Sequence, residues 1–315
     1  MVMLYLLLGI HFFTCLISQI MRKKNSMVFA VKGITGSLFY VFETSIFGLF
    51  YFWALNGFRL HFNRTVVLYG LLYGIVVIAT LIPSIFLYNY ASFAFISFIS
   101  SCLSLVFSLL SGRIFFGEVI SEDKLMRIIL MLAAAAVIFA GRRLEEHSDN
   151  ENREKHRKKL FMALLLILFS ALVGTMGTAV MKFYMLSEQA TDQNSFFFIT
   201  NIFSAALVLP IFPFVMKRDS VRVKDIWDMV KTKKTLYAAI TTMNSNIGSI
   251  VQIMILSIMD VSVYTPLSSA MVFVAIIAAT PLIGEKLNKY VLIAAVLAIL
   301  SVVLPWRLLN LLPFM

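Results

Sequence analysis

The sequences FFGE (residues 115–118) and LIGE (residues 282–285) each place a Gly-Glu pair directly after a long apolar run. The two glutamates, at positions 118 and 285, belong to a chain with only 16 acidic residues. A shift that superimposes them also places Ser101 on Ser268 and pairs the apolar runs that follow. The sequence therefore predicts an internal repeat.

The composition is that of a membrane protein. Hydrophobic residues make up 60% of the 315 residues, charged residues make up 14%, and the mean hydropathy is +0.91. A membrane-spanning helix needs about 20 apolar residues, because its backbone groups must all be paired within the segment. We predict an all-α, polytopic protein with about ten transmembrane helices, at 2–21, 33–55, 65–88, 92–115, 124–141, 160–184, 195–216, 235–257, 262–283 and 288–311.

The polar segment 142–159 divides these helices into two groups of five. We therefore predict a first repeat (1–141), a charged linker (142–159) and a second repeat (160–315). An odd number of helices per repeat inverts the second repeat in the membrane. Inverted repeats are common in secondary transporters, which bind substrate near the bilayer midplane between the halves.

The net charge of +11 comes from basic residues in the gaps between the apolar runs. These gaps lack interleaved aromatic residues, so we expect no nucleic-acid partner. Basic loops favour the cytoplasmic side of a bilayer. The distribution predicts a cytoplasmic linker and external termini in a multi-pass protein of the cell (plasma or inner) membrane, and a miscounted helix would invert one terminus.

Two five-helix halves, each with a Gly-Glu pair after its fourth helix, resemble the drug/metabolite transporter (DMT) superfamily, specifically its EamA-type permeases. The resemblance covers nearly the whole chain and is most specific over 88–141 and 255–300. The chain departs from the family in its first half, where Ile99 stands opposite Pro266. The resemblance implies a secondary carrier, usually an exporter of amino acids, metabolites or toxic small molecules, that uses no ATP and no cofactor. Family members are more often described with cytoplasmic termini.

Glu43 is the acidic residue placed deepest in any predicted span. An ionisable group within a membrane usually faces the protein interior or a water-filled cavity and serves a function. Glu43 is therefore a candidate for proton coupling or for binding a cationic substrate group. The alternative is a carboxyl group held structurally by Tyr40, one turn earlier, or by Lys32.

The eighth predicted helix carries a polar stripe at helical spacing, formed by Thr241, Ser245, Gly248 and Gln252. The corresponding positions of the first half are largely apolar, which favours a substrate-facing stripe over hydrogen bonds between helices. Tyr40, Asn201 and Tyr264 are further candidates for the polar lining. In the fourth helix, Ser97, Ser101, Ser104, Ser108 and Ser111 indicate close helix packing, and only Ser101 and its counterpart Ser268 are also ligand candidates.

The sequence contains none of the common hydrolase, metalloprotease or nucleotide-binding motifs. We expect no enzyme activity, no catalytic residue and no metal site; His11 is interpreted as a packing residue. Each Gly-Glu pair is interpreted as architectural, with its carboxylate at the positive end of the next helix dipole. The expected partners are a small-molecule substrate, H⁺ as a candidate coupling ion and the lipid bilayer, and a homodimer stays open. The alternative function is an integral-membrane enzyme or assembly factor that acts on lipid-linked intermediates.

Overall fold

The computed structural model describes residues 2–119, 121–146, 153–187, 192–230, 234–259, 261–285 and 288–303. Within these ranges the chain is helical and contains no strand. The helices are α1 (Val2–Phe29), α2 (Gly33–Leu55), α3 (Arg64–Leu87), α4 (Phe93–Phe116), α5 (Glu122–Glu146), α6 (Arg153–Leu186), α7 (Gln193–Val208), α8 (Phe212–Arg218), α9 (Val223–Val230), α10 (Lys234–Leu256), α11 (Val261–Leu282) and α12 (Lys289–Val303).

Several helix ends have local causes in the sequence. The side chain of Asn63 accepts a hydrogen bond from the backbone N–H of Val66 and caps the start of α3. Asp192 does the same for α7, through the N–H of Asn194. Gly117 ends α4 with a φ of 64°, a left-handed conformation that favours glycine, so the glycine of the FFGE pair is needed for the turn.

The helices overlap all the predicted spans, but several boundaries differ from the prediction, and residues 304–311 of the tenth predicted span lie outside the described residues. Helix α1 continues to Phe29, so the basic residues 22–24 lie within a helix and not in a loop. The seventh predicted span is two helices, α7 and α8, bent by 45°. The segment before the eighth span contains the short helix α9. Residues 147–152 of the predicted linker lie outside the described residues, and the flanks of the linker belong to α5 and α6.

The length and apolar character of the helices define a multi-pass membrane protein. Among the described residues, five helical segments are long and apolar enough to span a membrane, or six if α7 and α8 form one bent span. Many large apolar side chains on their outer faces are exposed, among them Leu68, Ile75 and Phe169, as expected for a surface that faces lipid. The number of ten crossings stays a prediction.

The principal packing contacts join helices of the first half (α1–α5) to helices of the second half (α6–α12). Helix α2 packs against α7, α3 against α6 and α7, α5 against α12, and α4 against α11. In the order predicted from the repeat, α1 corresponds to α6, α3 to α10, and α4 to α11. If each helix is replaced by its counterpart in the other half, the α1–α10 contact becomes the α6–α3 contact, and the α1–α11 contact becomes the α6–α4 contact. All four contacts are present. The two halves are thus interlocked.

The connection between α8 and α9 packs against the start of α2. The carboxylate of Asp219 accepts hydrogen bonds from the backbone N–H and the hydroxyl of Thr35, at 2.8 and 3.0 Å. Lys32 lies 3.4 Å from Asp225, whose pKa is held below its ordinary value by the backbone N–H of Arg222 and by Lys32. These contacts hold α9 and the connection before it against the start of α2.

Helix α7 approaches its neighbours closely because they present glycines to it. A Cβ atom on Gly48 of α2 would lie 2.4 Å from the side-chain oxygen of Asn201, and one on Gly70 of α3 would lie 2.6 Å from Cγ2 of Ile199. Small residues at helix interfaces increase van der Waals contact where the lipid supplies no hydrophobic driving force. These glycines therefore set the position of α7.

We predict that Gly70→Ala lowers stability by about 1–3 kcal/mol, because Ile199 is β-branched and cannot easily rotate away from the added methyl group. Thermal unfolding of the purified protein in detergent measures this. Gly9→Ala in α1 is the matched control, since no atom lies within 4 Å of its added methyl group. The control should be neutral or slightly stabilising, and an equal loss in both variants would contradict the packing argument.

Candidate functional site

A cavity of about 480 Å³ lies between helices of both halves. Helices α1, α2, α3 and α4 supply one part of its wall, and α6, α10 and α11 supply the other. Its lining is unusually polar for the interior of a membrane protein. The polar lining residues are His11, Thr14, Cys15, Ser18, Gln19, Arg22, Asn25, Tyr40, Thr80, Ser84, Tyr88, Ser97, Ser100, Ser101, Ser104, Ser108, Ser170, Thr175, Thr178, Thr241, Asn244, Ser245, Ser249, Gln252, Tyr264, Ser268 and Ser269.

Most residues that the sequence singled out lie in this wall. The polar stripe of α10 faces the cavity along its whole length, and the predicted positions on α2, α4 and α11 do so as well. The candidate residues found there are Tyr40, Ser101, Thr241, Ser245, Gln252, Tyr264 and Ser268, together with Gly248. The serines of α4 that were interpreted as packing residues also line the cavity, except Ser111, which donates to the carbonyl of Ser108.

Glu43 and Asn201 do not line the cavity. Asn201 lies against Gly48 and donates to the carbonyl of Phe197 within its own helix. Glu43 is buried in α2, and its Oε2 atom has no hydrogen-bond partner among the described residues. The two structural partners considered for Glu43 interact with other residues. The Tyr40 hydroxyl accepts a hydrogen bond from Asn25, and Lys32 pairs with Asp225.

The polar face of α1 is the part of the site that the sequence analysis missed. His11, Cys15, Ser18, Arg22 and Asn25 recur every three or four residues, so they share one face of the helix. All five line the cavity. The sequence contains this periodicity, but the prediction treats His11 alone and ends the first span at residue 21, before Arg22.

His11 lies at the centre of one polar cluster. Its Nε2 atom is 2.9 Å from the Ser268 hydroxyl, 3.2 Å from the Tyr264 hydroxyl and 3.7 Å from the Cys15 sulfur. These contacts join α1 to α11. The histidine thus lies at the wall of the cavity, and its interpretation as a packing residue stays a prediction.

A second group of hydrogen bonds joins α1 to α2 and α10. The side-chain nitrogen of Asn25 donates to the hydroxyls of Tyr40 and Thr241, at 3.1 and 2.8 Å. Asn244 of α10 donates in return to the carbonyl of Thr14 and the hydroxyl of Ser18, at 2.9 and 2.8 Å. Because these amides are buried, the bonds fix α1 in rotation as well as in position.

The two Gly-Glu carboxylates lie at opposite ends of α4, which is about 36 Å long at 1.5 Å per residue. Glu118 follows the end of α4 and lies 3.2 Å from the amine of Lys182, at the end of α6. Glu285 lies 3.1 Å from the amine of Lys23 and accepts from the backbone N–H of Phe93, at the start of α4. The expectation that Glu285 serves the next helix is wrong, because it contacts the N-terminus of a helix in the other half. Lys182 is buried in its ion pair with Glu118.

Fold and cavity together define a polytopic α-helical membrane protein with a polar chamber between two interlocked halves. Residues 160–306 match the profile of the EamA-like transporter family. The second half of the chain is therefore similar to EamA-like transporters, which confirms the resemblance to EamA-type permeases of the DMT superfamily. The members of this family are membrane transporters.

Comparison with solved structures agrees with this fold. A structure described as "Crystal structure of protein" has a TM-score of 0.64 to this chain, at 13% sequence identity, over 98% of each chain. At this identity the likeness concerns the fold alone. No curated protein matches the sequence.

Proposed function

We propose that the protein is a secondary-active transporter that exports small metabolites, amino acids or drugs across the plasma or inner membrane. Its ten spans form two inverted repeats that alternate access to the cavity. The polar cavity between the two halves carries this proposal. A polar chamber inside an apolar bundle is costly to maintain, and polar residues within a membrane usually mark the path of a substrate or ion. An interlocked pair of halves around such a chamber is the arrangement found in inverted-repeat carriers.

The two ion pairs support alternating access. The stretch of α4 that lines the cavity, residues 96–108, lies between the Lys23–Glu285 pair at one end of the helix and the Lys182–Glu118 pair at the other. Each pair joins one half of the chain to the other. Rocking of the halves would separate one pair while the other holds, so each pair acts as a gate at its own end.

The proposed coupling group is Glu43. A buried carboxylate oxygen without a hydrogen-bond partner is costly when charged, so a proton at this position is strongly linked to conformation. Glu43 lies one turn beyond Tyr40, which lines the cavity. Helix α2 can therefore connect protonation at Glu43 with substrate binding, although the two groups are separate.

Blocking the cavity tests transport directly. Ser245→Trp places a large ring in the chamber and should reduce solute movement in proteoliposomes by about tenfold or more, measured with a metabolite panel under a pH gradient. Met243→Trp on the same helix is the matched control, because Met243 is 53% exposed and does not line the cavity. The transporter proposal fails if the wild type moves no solute under any gradient.

We predict that Glu43→Gln abolishes transport or removes its dependence on the proton gradient, since glutamine cannot release a proton. Expression and thermal unfolding should change little, because the amide keeps the shape of the acid. Glu122→Gln, at the exposed start of α5, should leave both rate and proton dependence unchanged. Unchanged proton dependence in Glu43→Gln would remove Glu43 from the mechanism.

The gates can be tested by accessibility of the cavity. In a Cys15→Ser background, Ser245→Cys reports on opening through its reaction with a membrane-impermeant maleimide. Removing one pair with Lys23→Met and Glu285→Gln should increase labelling from one side of the membrane. Removing the other with Lys182→Met and Glu118→Gln should increase it from the opposite side.

The surface pair Lys32–Asp225 supplies the control for this experiment. It also joins the two halves, from the connection between α1 and α2 to α9, but it lies outside the cavity. Lys32→Met with Asp225→Asn should not change the labelling. If both gate variants opened the cavity to the same side, the two pairs would not be alternating gates.

A further inference from the structure

We infer that the ligand of this cavity is a polyhydroxylated anion, whose carboxylate or phosphate group binds Arg22 and whose hydroxyl groups bind the serine-rich walls. This inference deepens the proposed function and rests on it. The net charge of the cavity, its hydrogen-bonding groups and its size all support this class of substrate.

The charge of the cavity favours an anion. Arg22 is the only formally charged side chain among the described residues that line it, and these residues include no carboxylate. A cationic ligand would therefore meet an uncompensated positive charge and no partner for its own. Glu43, the candidate for binding a cationic group, does not line the cavity.

Arg22 is available to bind a ligand. It makes no hydrogen bond or ion pair with any side chain in the part of the chain that the structure describes, and it is exposed. Its neighbours in sequence are both engaged: Lys23 pairs with Glu285, and Lys24 lies 5.6 Å from the centre of the Tyr237 ring. The planar guanidinium group offers parallel N–H donors that match the oxygens of a carboxylate or phosphate.

The surroundings of Arg22 place this charge inside the polar chamber. Arg22 shares the wall of the cavity with Cys15 of α1, Tyr40 of α2 and Tyr88 at the end of α3. A ligand bound to Arg22 would thus share the chamber with hydroxyl donors from two further segments.

The rest of the wall suits hydroxyl groups. Six helices line the chamber with serine, threonine or amide side chains, and each hydroxyl can both donate and accept a hydrogen bond. The hydroxyls of Thr80, Ser101 and Thr175 donate to carbonyl groups of their own helices, which leaves their oxygen atoms able to accept from ligand hydroxyls. An apolar drug would leave this acceptor capacity unused. The volume of about 480 Å³ lies in the lower part of the range of about 300–1,000 Å³ for small-molecule sites, which favours a ligand of metabolite size.

Ligand-induced thermal stabilisation of the full-length protein in detergent tests the inference. The probes are gluconate as a polyol carboxylate, glucose 6-phosphate as a polyol phosphate, sorbitol as a neutral polyol and glucosamine as a cationic one. At least one of the two anions should raise the unfolding temperature at concentrations where sorbitol and glucosamine do not. The better of the two anions identifies the class of anionic group.

Substitutions of Arg22 test whether this residue is responsible for anion binding. Arg22→Gln should weaken anion binding by about 10- to 100-fold, because it removes charge-assisted hydrogen bonds, and Arg22→Lys should retain part of the affinity. Lys24→Gln is the matched control and should bind as the wild type does. The unfolding temperature without ligand should be the same in all four proteins, since Arg22 bonds to no described side chain.

The inference is overturned if neither anion binds, if sorbitol or glucosamine binds as well as the anions, or if Arg22→Gln binds them undiminished. These failures are distinct from failure of the proposed function. A protein that moves neutral or cationic solutes in proteoliposomes would still be a transporter, but its substrate would not be the anion inferred here.

Discussion

The arrangement of this protein depends on the polar face of α1. Polar groups within a membrane must find partners inside the protein, because the lipid offers none. Asn25 donates to Tyr40 and Thr241, and Asn244 donates to Thr14 and Ser18, so α1 is held against helices of both halves. The cavity is the space between the helices that these side chains do not fill. The same face therefore orders the bundle and lines its chamber.

The Gly-Glu pairs act at a longer range than their local sequence indicates. Each carboxylate meets a lysine at the end of the first helix of the other half, Lys182 for Glu118 and Lys23 for Glu285. The repeated Gly-Glu sequence thus corresponds to two equivalent ion pairs, one at each end of α4. Both pairs cross between the halves, so they hold the two halves together at each end of the bundle.

Much of the fold could be predicted from the sequence because apolar length and turn residues are local signals. The bounds of α2 and the polar stripe of α10 were found in this way. The bend between α7 and α8 was missed because the span was set by apolar length alone, although Pro210 and Pro213 indicate a break in the helix there. The face of α1 was missed because its histidine and arginine were considered separately, although their spacing placed them together. Glu43 was distinctive for its charge, but charge alone could not indicate which side of α2 faces the cavity.

The separation of Glu43 from Arg22 has a mechanistic consequence. A transporter needs recognition and coupling to be linked, but one group need not perform both. The Tyr40 hydroxyl accepts from Asn25 on the same face of α1 as Arg22, and the hydroxyl of Thr44, next to Glu43, donates to the carbonyl of Tyr40. In the proposed mechanism, a change of charge at Glu43 would therefore reach the ligand through the position of α2 against α1, and not through direct contact. The proposed division would keep the substrate site positive and the coupling group acidic, without the two charges neutralising each other.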